Sequence, residues 1–196
     1  MKTTQYMARR ITQFGFPLLL ALGLGACAGS FGFGGDSWKE EVLLHDGNKI
    51  IVKRSQSYGG LHEPGQSSPV KEHTITFEMP GSGKTIGWTS EYGADLGRTN
   101  FNLLALHIDK DTPYLVVEPN LCLSYNKWGR PNPFYVFFKY DGKDWQRIQV
   151  SEFPAKFKTI NLIVNNKREE DIARAASKLG YVSAEGVGQI NGSLTQ

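Results

Sequence analysis

Few residues of this chain stand in an arrangement that could make or break a bond. The segment Gly81-Ser82-Gly83-Lys84-Thr85 ends like a phosphate-binding loop, but Glu78 occupies the position of that motif's first glycine. Ile86-Gly87-Trp88, where the motif needs a helix, reads as strand. A hairpin turn with Lys84 in solvent is the expectation. The four histidines, His45, His62, His73 and His107, show neither metal-ligand spacing nor a His-Glu-x-x-His helix, so no metal and no cofactor are expected. His62-Glu63, in the Gly-, Ser- and Pro-rich stretch 56–70, is the one pair that suits a general base, which would make the chain a periplasmic hydrolase; otherwise the pair is a solvated loop feature. Asp109 and Asp111 fall where a turn wants Asp for backbone hydrogen bonds. With no nucleophile elbow and no Cys–His pairing, no catalytic residue is assigned.

The most specific chemistry belongs to Cys27. Residues 1–13 hold Lys2, Arg9 and Arg10 and no acid, and Phe14 to Leu24 form an apolar run of 11 residues. A membrane-crossing helix needs about 20, so the run reads as a cleaved export signal, residues 1–26. It ends in Leu24-Gly25-Ala26-Cys27, which resembles the lipobox of bacterial lipoproteins. Small side chains there let extended backbone enter a peptidase, and the thiol receives the diacylglyceryl group. Two or three acyl chains, palmitate among them, hold stably, because each buried methylene contributes about 0.8 kcal/mol. The resemblance implies attachment at the outer membrane, since Ala28 stands where an inner-membrane retention signal places Asp.

Removing Lys2, Arg9 and Arg10 from the 22 basic residues leaves 19, equal to the 19 acidic ones. A neutral mature chain gives no electrostatic reason to expect nucleic acid as a partner. After Cys27, residues 27–37 read as a Gly-rich tether. Cys122, left without a disulfide partner, is expected to be buried as a small apolar side chain.

The elements that would carry any site are strands. Short β-branched and aromatic runs separated by turn residues fill 38–166, which predicts antiparallel hairpins. Glu40–His45 and Lys49–Ser55 flank Asp46-Gly47-Asn48, and His73–Met79 pairs with Thr85–Glu91. Leu103–Ile108 pairs with Tyr114–Glu118, Phe134–Tyr140 with Asp144–Val150, and Thr159–Val164 supplies a last strand. Phe134–Tyr140 is apolar on both sides and reads as a central strand. A helix follows within 167–180, with Asn166 and Glu169 at its start and Gly180 as its stop, and 181–196 reads as a loose tail. The fold class predicted is mainly β, an antiparallel sandwich or partly open barrel with one C-terminal α-helix.

Between the third and fourth hairpins lies Ser124-Tyr125-Asn126-Lys127-Trp128-Gly129-Arg130-Pro131-Asn132-Pro133, aromatic rings beside amide and cationic groups on a proline-bounded loop. Tyr125, Asn126, Lys127, Trp128 and Arg130 form the candidate binding surface, because such side chains give affinity with little entropy lost. The alternative is that Tyr125 and Trp128 seal one end of the core. This segment, continued through Phe134 to Gly142, together with Trp38 and Asp46-Gly47 of the first hairpin, resembles a group of uncharacterised proteobacterial lipoproteins. The resemblance spans the lipobox to about Asn165 and implies a Gram-negative envelope protein with a β domain. The expected function is that of a membrane-anchored, non-enzymatic envelope module. Its partners are the membrane, through the N-terminal lipid, and an envelope protein or glycan.

Overall fold

The structure, a computed structural model, describes residues 35–164 and 169–192. The signal segment, the lipobox residues Leu24, Gly25 and Ala26, Cys27 and Asn166 lie outside the described residues. Strands β1 (Gly35–Leu43), β2 (Lys49–Tyr58), β3 (Val70–Glu78) and β4 (Thr85–Ser90) form one antiparallel sheet in chain order. A two-stranded ribbon, β5 (Tyr92–Gly93) and β6 (Arg98–Thr99), leads into β7 (Phe101–Asp109) and β8 (Thr112–Pro119). After helix α1 (Leu121–Lys127), strands β9 (Val136–Tyr140) and β10 (Trp145–Ile148) complete a second sheet of order β10-β9-β8-β7. Helices α2 (Glu169–Ala176) and α3 (Ala184–Asn191) close the chain.

Alternation makes the two sheets a sandwich. In β2 and β3 every second residue is buried, Val52, Arg54 and Gln56 on one strand and His73, Ile75 and Phe77 on the next, which puts one face inward. Val42, Val52, Ile75, Phe77, Ile86 and Trp88 of the first sheet meet Leu103, Leu106, Leu115, Val117, Val136 and Phe138 of the second in a single apolar core. Phe137 points the other way and is covered by Phe153 at 4.6 Å, so Val136–Phe138 is closed on both faces as expected of a central strand, whereas Phe134 and Tyr135 precede it in solvent.

The sandwich has two unlike ends. At one, four tight connections gather: Asp46-Gly47-Asn48, Gly81–Lys84, Lys110-Asp111 and Asp141–Asp144, the second and fourth joined by Lys84 Nζ donating to the Gly142 carbonyl at 2.7 Å. At the other, β1 begins opposite the end of β2, with Gly35 paired to Ser57, and Phe101 opens β7 opposite Pro119. The His73 Nε2 contact to the Phe101 carbonyl, 2.7 Å, ties the two sheets together there. We call this the entry end.

Three expectations about the chain's course are corrected. Thr159–Val164 joins no sheet; its hydrogen bonds to Leu43 on one side and to Leu104 and Leu106 on the other make it a seam between β1 and β7. Asn161 supplies the bonds a ladder would have made: its Oδ1 accepts from Leu106 N, and its Nδ2 donates to the Leu106 and Leu43 carbonyls. Residues 35–37, read as tether, are paired strand. The stretch read as a loose tail carries α3, capped by Ser183, whose Oγ accepts from Gly186 N. Its start is held because Val182 bridges to β1 through Glu41 N and the Lys39 carbonyl, and Val187 packs with Ile172, Val182 and Ile163. Helix α2 ends at Ala176, short of the expected stop, and Gly180, at φ +75°, closes the turn after it by donating its N–H to the Ala176 carbonyl.

Candidate functional site

Helix α1 is built inside out. It begins where Asn120 N donates to the Asn100 carbonyl, and its one fully buried side chain is Ser124, whose hydroxyl donates to that same carbonyl. One turn on, Trp128 also faces inward: its ring lies 4.5 Å from Phe101, and Nε1 reaches Asn100 Oδ1 at 3.4 Å. The Arg147 guanidinium stands 5.8 Å from the Trp128 ring centroid, and its Nη2 donates to the Trp128 carbonyl. Trp128 is therefore a plug at the entry end. The apolar residues of the helix take the outside, with Leu121 59% and Leu123 62% exposed. Leu121 does so at φ +65°, a left-handed conformation that costs a side-chain-bearing residue about 1–2 kcal/mol.

The other residues named from sequence gather around this helix. Tyr125 stacks on Phe134, centroids 4.8 Å apart, and Phe134 is 44% exposed. Arg130, at φ +52°, closes the helix through its backbone N to the Tyr125 carbonyl, and its Nε donates to Asn126 Oδ1 at 2.9 Å. Lys127 pairs with Asp95 at 2.8 Å, which joins the helix to the turn between β5 and β6. That turn in turn holds the 56–70 loop. Leu61 N donates to the Gly97 carbonyl, and a Cβ on Gly60 would sit 2.1 Å from that oxygen, so glycine is required there. Leu61 itself is 70% exposed.

Tyr125, Asn126, Lys127 and Arg130 are thus brought to one surface, while Trp128 is withdrawn into packing. Sequence reasoning missed Leu121, Leu123, Leu61 and Phe134. The available signal was a serine centred among Leu121, Leu123 and Tyr125, which no reading of a loop would weigh. Cys122, expected in the core, is exposed, because the inward positions of α1 belong to Ser124 and Trp128.

Titratable groups elsewhere are engaged in structure. His62 Nδ1 lies 3.0 Å from the Gly60 carbonyl and Glu63 Oε2 accepts from Gln66, both in solvent and not joined to each other by a hydrogen bond or ion pair. His73 and His107 are fully buried, and burial pushes them down to about 3 and about 4 respectively. Asp109 pairs with Lys156 at 2.6 Å and Asp111 sits in its turn at φ +61°. Lys84 occupies a hairpin turn, its Nζ 5.1 Å from the Tyr140 ring centroid. Among the described residues no group of three or more His, Cys, Asp or Glu could hold a metal ion, and no helix is long and apolar enough to cross a membrane.

The fold and this surface define a small antiparallel β-sandwich with an exposed apolar end. Comparison with family models, with curated proteins and with solved structures finds no match to any of them.

Proposed function

We propose that the chain is a lipid-anchored envelope lipoprotein, held at the periplasmic face of the outer membrane, whose sandwich acts as a non-catalytic contact module through its entry end. The anchor rests on Leu24-Gly25-Ala26-Cys27 at the close of a short apolar run. The observation that carries the contact role is the exposure of Leu121 and Leu123 beside the Tyr125–Phe134 stack. Exposed apolar groups collected at one place mark interaction sites on soluble domains. The hydrolase reading draws no support from His62 and Glu63, each of which is satisfied within its own loop.

Mass spectrometry of the native protein tests the anchor: the mature chain begins at Cys27 and carries acyl chains, and Cys27→Ala leaves a chain that no longer sediments with membranes. Ala28→Asp relocates the protein to the inner membrane. A native chain with an unmodified Cys27 removes the reading.

A further inference from the structure

We propose that the entry end of the sandwich, led by the outward face of α1, rests directly on the lipid bilayer that holds the chain's N-terminus. This builds on the lipid-anchor reading and names the occupant of the contact surface, lipid in place of a protein or glycan.

The first observation is polarity. A water-facing helix presents charged and polar groups outward and apolar ones inward. In α1 the one buried side chain is polar and both leucines are outside: Ser124 is fully buried on the Asn100 carbonyl, while Leu121 and Leu123 are more than half exposed, alongside Asn126 and Lys127. The backbone is bent to the same purpose, since Leu121 is held in the left-handed region with its side chain in solvent. Strain of this kind persists where the surroundings enforce it and marks functional positions. Leu61 arrives from a loop distant in sequence, fixed there by Gly97, and Phe134 from the connection into β9. Three separate segments therefore deliver apolar side chains to one end.

The second observation is direction. Gly35, first of the described residues, opens β1 at this same end. Eight peptide steps separate it from Cys27, a leash of about 28 Å at full extension. A nine-residue strand such as β1 is itself about 30 Å long, so the segment to Cys27 leaves the body at the entry end, a strand length from the opposite end. That opposite end is made of four turns rich in Asp, Asn, Gly and Lys, at 46–48, 81–84, 110–111 and 141–144, and its exposed apolar side chains, Leu43 and Ile51, are less exposed than Leu61, Leu121 and Leu123. One end of the body is thus suited to water and the other, beside the leash, to an apolar interface. Tyr125 and Tyr135 at its rim have an apolar body and a polar tip, the form of side chain favoured at headgroup depth. Lys127 and Arg130 add cationic groups to the same end, Lys127 paired with Asp95 and Arg130 bonded to Asn126.

Cys122, exposed between the two leucines, supplies the probe. The lipidated full chain is reconstituted into vesicles of equal parts phosphatidylethanolamine and phosphatidylglycerol, with a polarity-sensitive fluorophore on Cys122. The expected result is a blue shift and quenching by brominated acyl chains. A label moved to the opposite end by Ser82→Cys with Cys122→Ser remains water-like. Leu121→Ser combined with Leu123→Ser returns the Cys122 label to a water-like spectrum while the protein still sediments with the vesicles. A water-like Cys122 label in wild-type protein that sediments with vesicles overturns the proposal and leaves the anchor standing. Equal quenching at both ends overturns it too. So does a label that becomes dry only in native membranes, which assigns the surface to a membrane protein. A chain that carries no acyl group at Cys27 and does not sediment loses the anchor, and the docking proposal with it.

Discussion

Glu40 and Arg54 meet across β1 and β2 with Nη1 2.9 Å from Oε1 and both side chains fully buried. Trp38 Nε1 donates to the other carboxylate oxygen at 2.8 Å, and Arg54 Nη1 also reaches the Ile163 carbonyl at 3.2 Å. The pair therefore fastens the first sheet to the seam that closes the sandwich. Burial pushes the Glu40 carboxyl upward against the pull of the Arg54 charge.

Glu40→Ala leaves the Arg54 charge buried without its carboxylate, and removing one partner of a buried pair costs about 3–5 kcal/mol. Urea unfolding of the variant is expected to show a correspondingly lower midpoint with an unchanged slope. A loss below about 1 kcal/mol, the scale of exposed pairs, would show that the two groups are not buried together. Replacing both residues with apolar side chains of similar volume should recover most of the loss.

His73 and His107 give the fold an acid limit. Their folded pKa values, about 3 and about 4, lie below the ordinary histidine value, with burial as the first cause. The unfolded chain thus binds more protons than the folded one at acidic pH, and stability falls as pH falls. The contribution is whole above pH 6.5. Below it each histidine costs about 1.4 kcal/mol per pH unit, until pH reaches about 4 for His107 and about 3 for His73. Chemical denaturation between pH 7 and pH 4 measures the slope, and His107→Phe should flatten it. A stability independent of pH across that range would contradict the burial of both rings.

Trp128→Ala should destabilise by about 2–4 kcal/mol, since the ring fills the entry end against Phe101 and the core. Leu121→Ser and Leu123→Ser, at exposed positions, should stay within about 0.5 kcal/mol of wild type. Thermal unfolding separates the plug from the contact surface. A Trp128→Ala chain as stable as the parent would restore Trp128 to the binding surface and overturn its assignment as a plug.

Asn161→Ala deprives the buried Leu106 N–H of its acceptor and two carbonyls of a donor. An unsatisfied buried amide costs about 1–3 kcal/mol. Amide exchange at Leu106 should accelerate well beyond that of Leu115 on the neighbouring strand, and equal exchange rates at the two would refute the seam.

The hairpins were legible because their signals are local. Asp46-Gly47 between apolar runs sets the β1–β2 turn, and the alternation of Ile75 and Phe77 with Thr74 and Thr76 sets which face of β3 turns inward. The same alternation, read with the turns, was enough for the antiparallel sandwich. Gly180 marked the turn that follows α2 for the same reason, a backbone requirement that belongs to one residue.

The seam, the tail and the inversion of α1 were decided only in three dimensions. Asn161 replaces a strand ladder with its side-chain amide, so Thr159–Val164 keeps the composition of a strand without its pairing. The tail becomes ordered because Val182 finds β1 across more than 140 residues. In α1, the Asn100 carbonyl and the Phe101 ring claim Ser124 and Trp128 for the interior, and the leucines are left outside. Turn and period are properties of neighbouring residues and survive in any environment, so the chain itself determined them. Which side of a short helix is inside depends on what waits at the entry end of the sandwich, and that is set when distant segments meet.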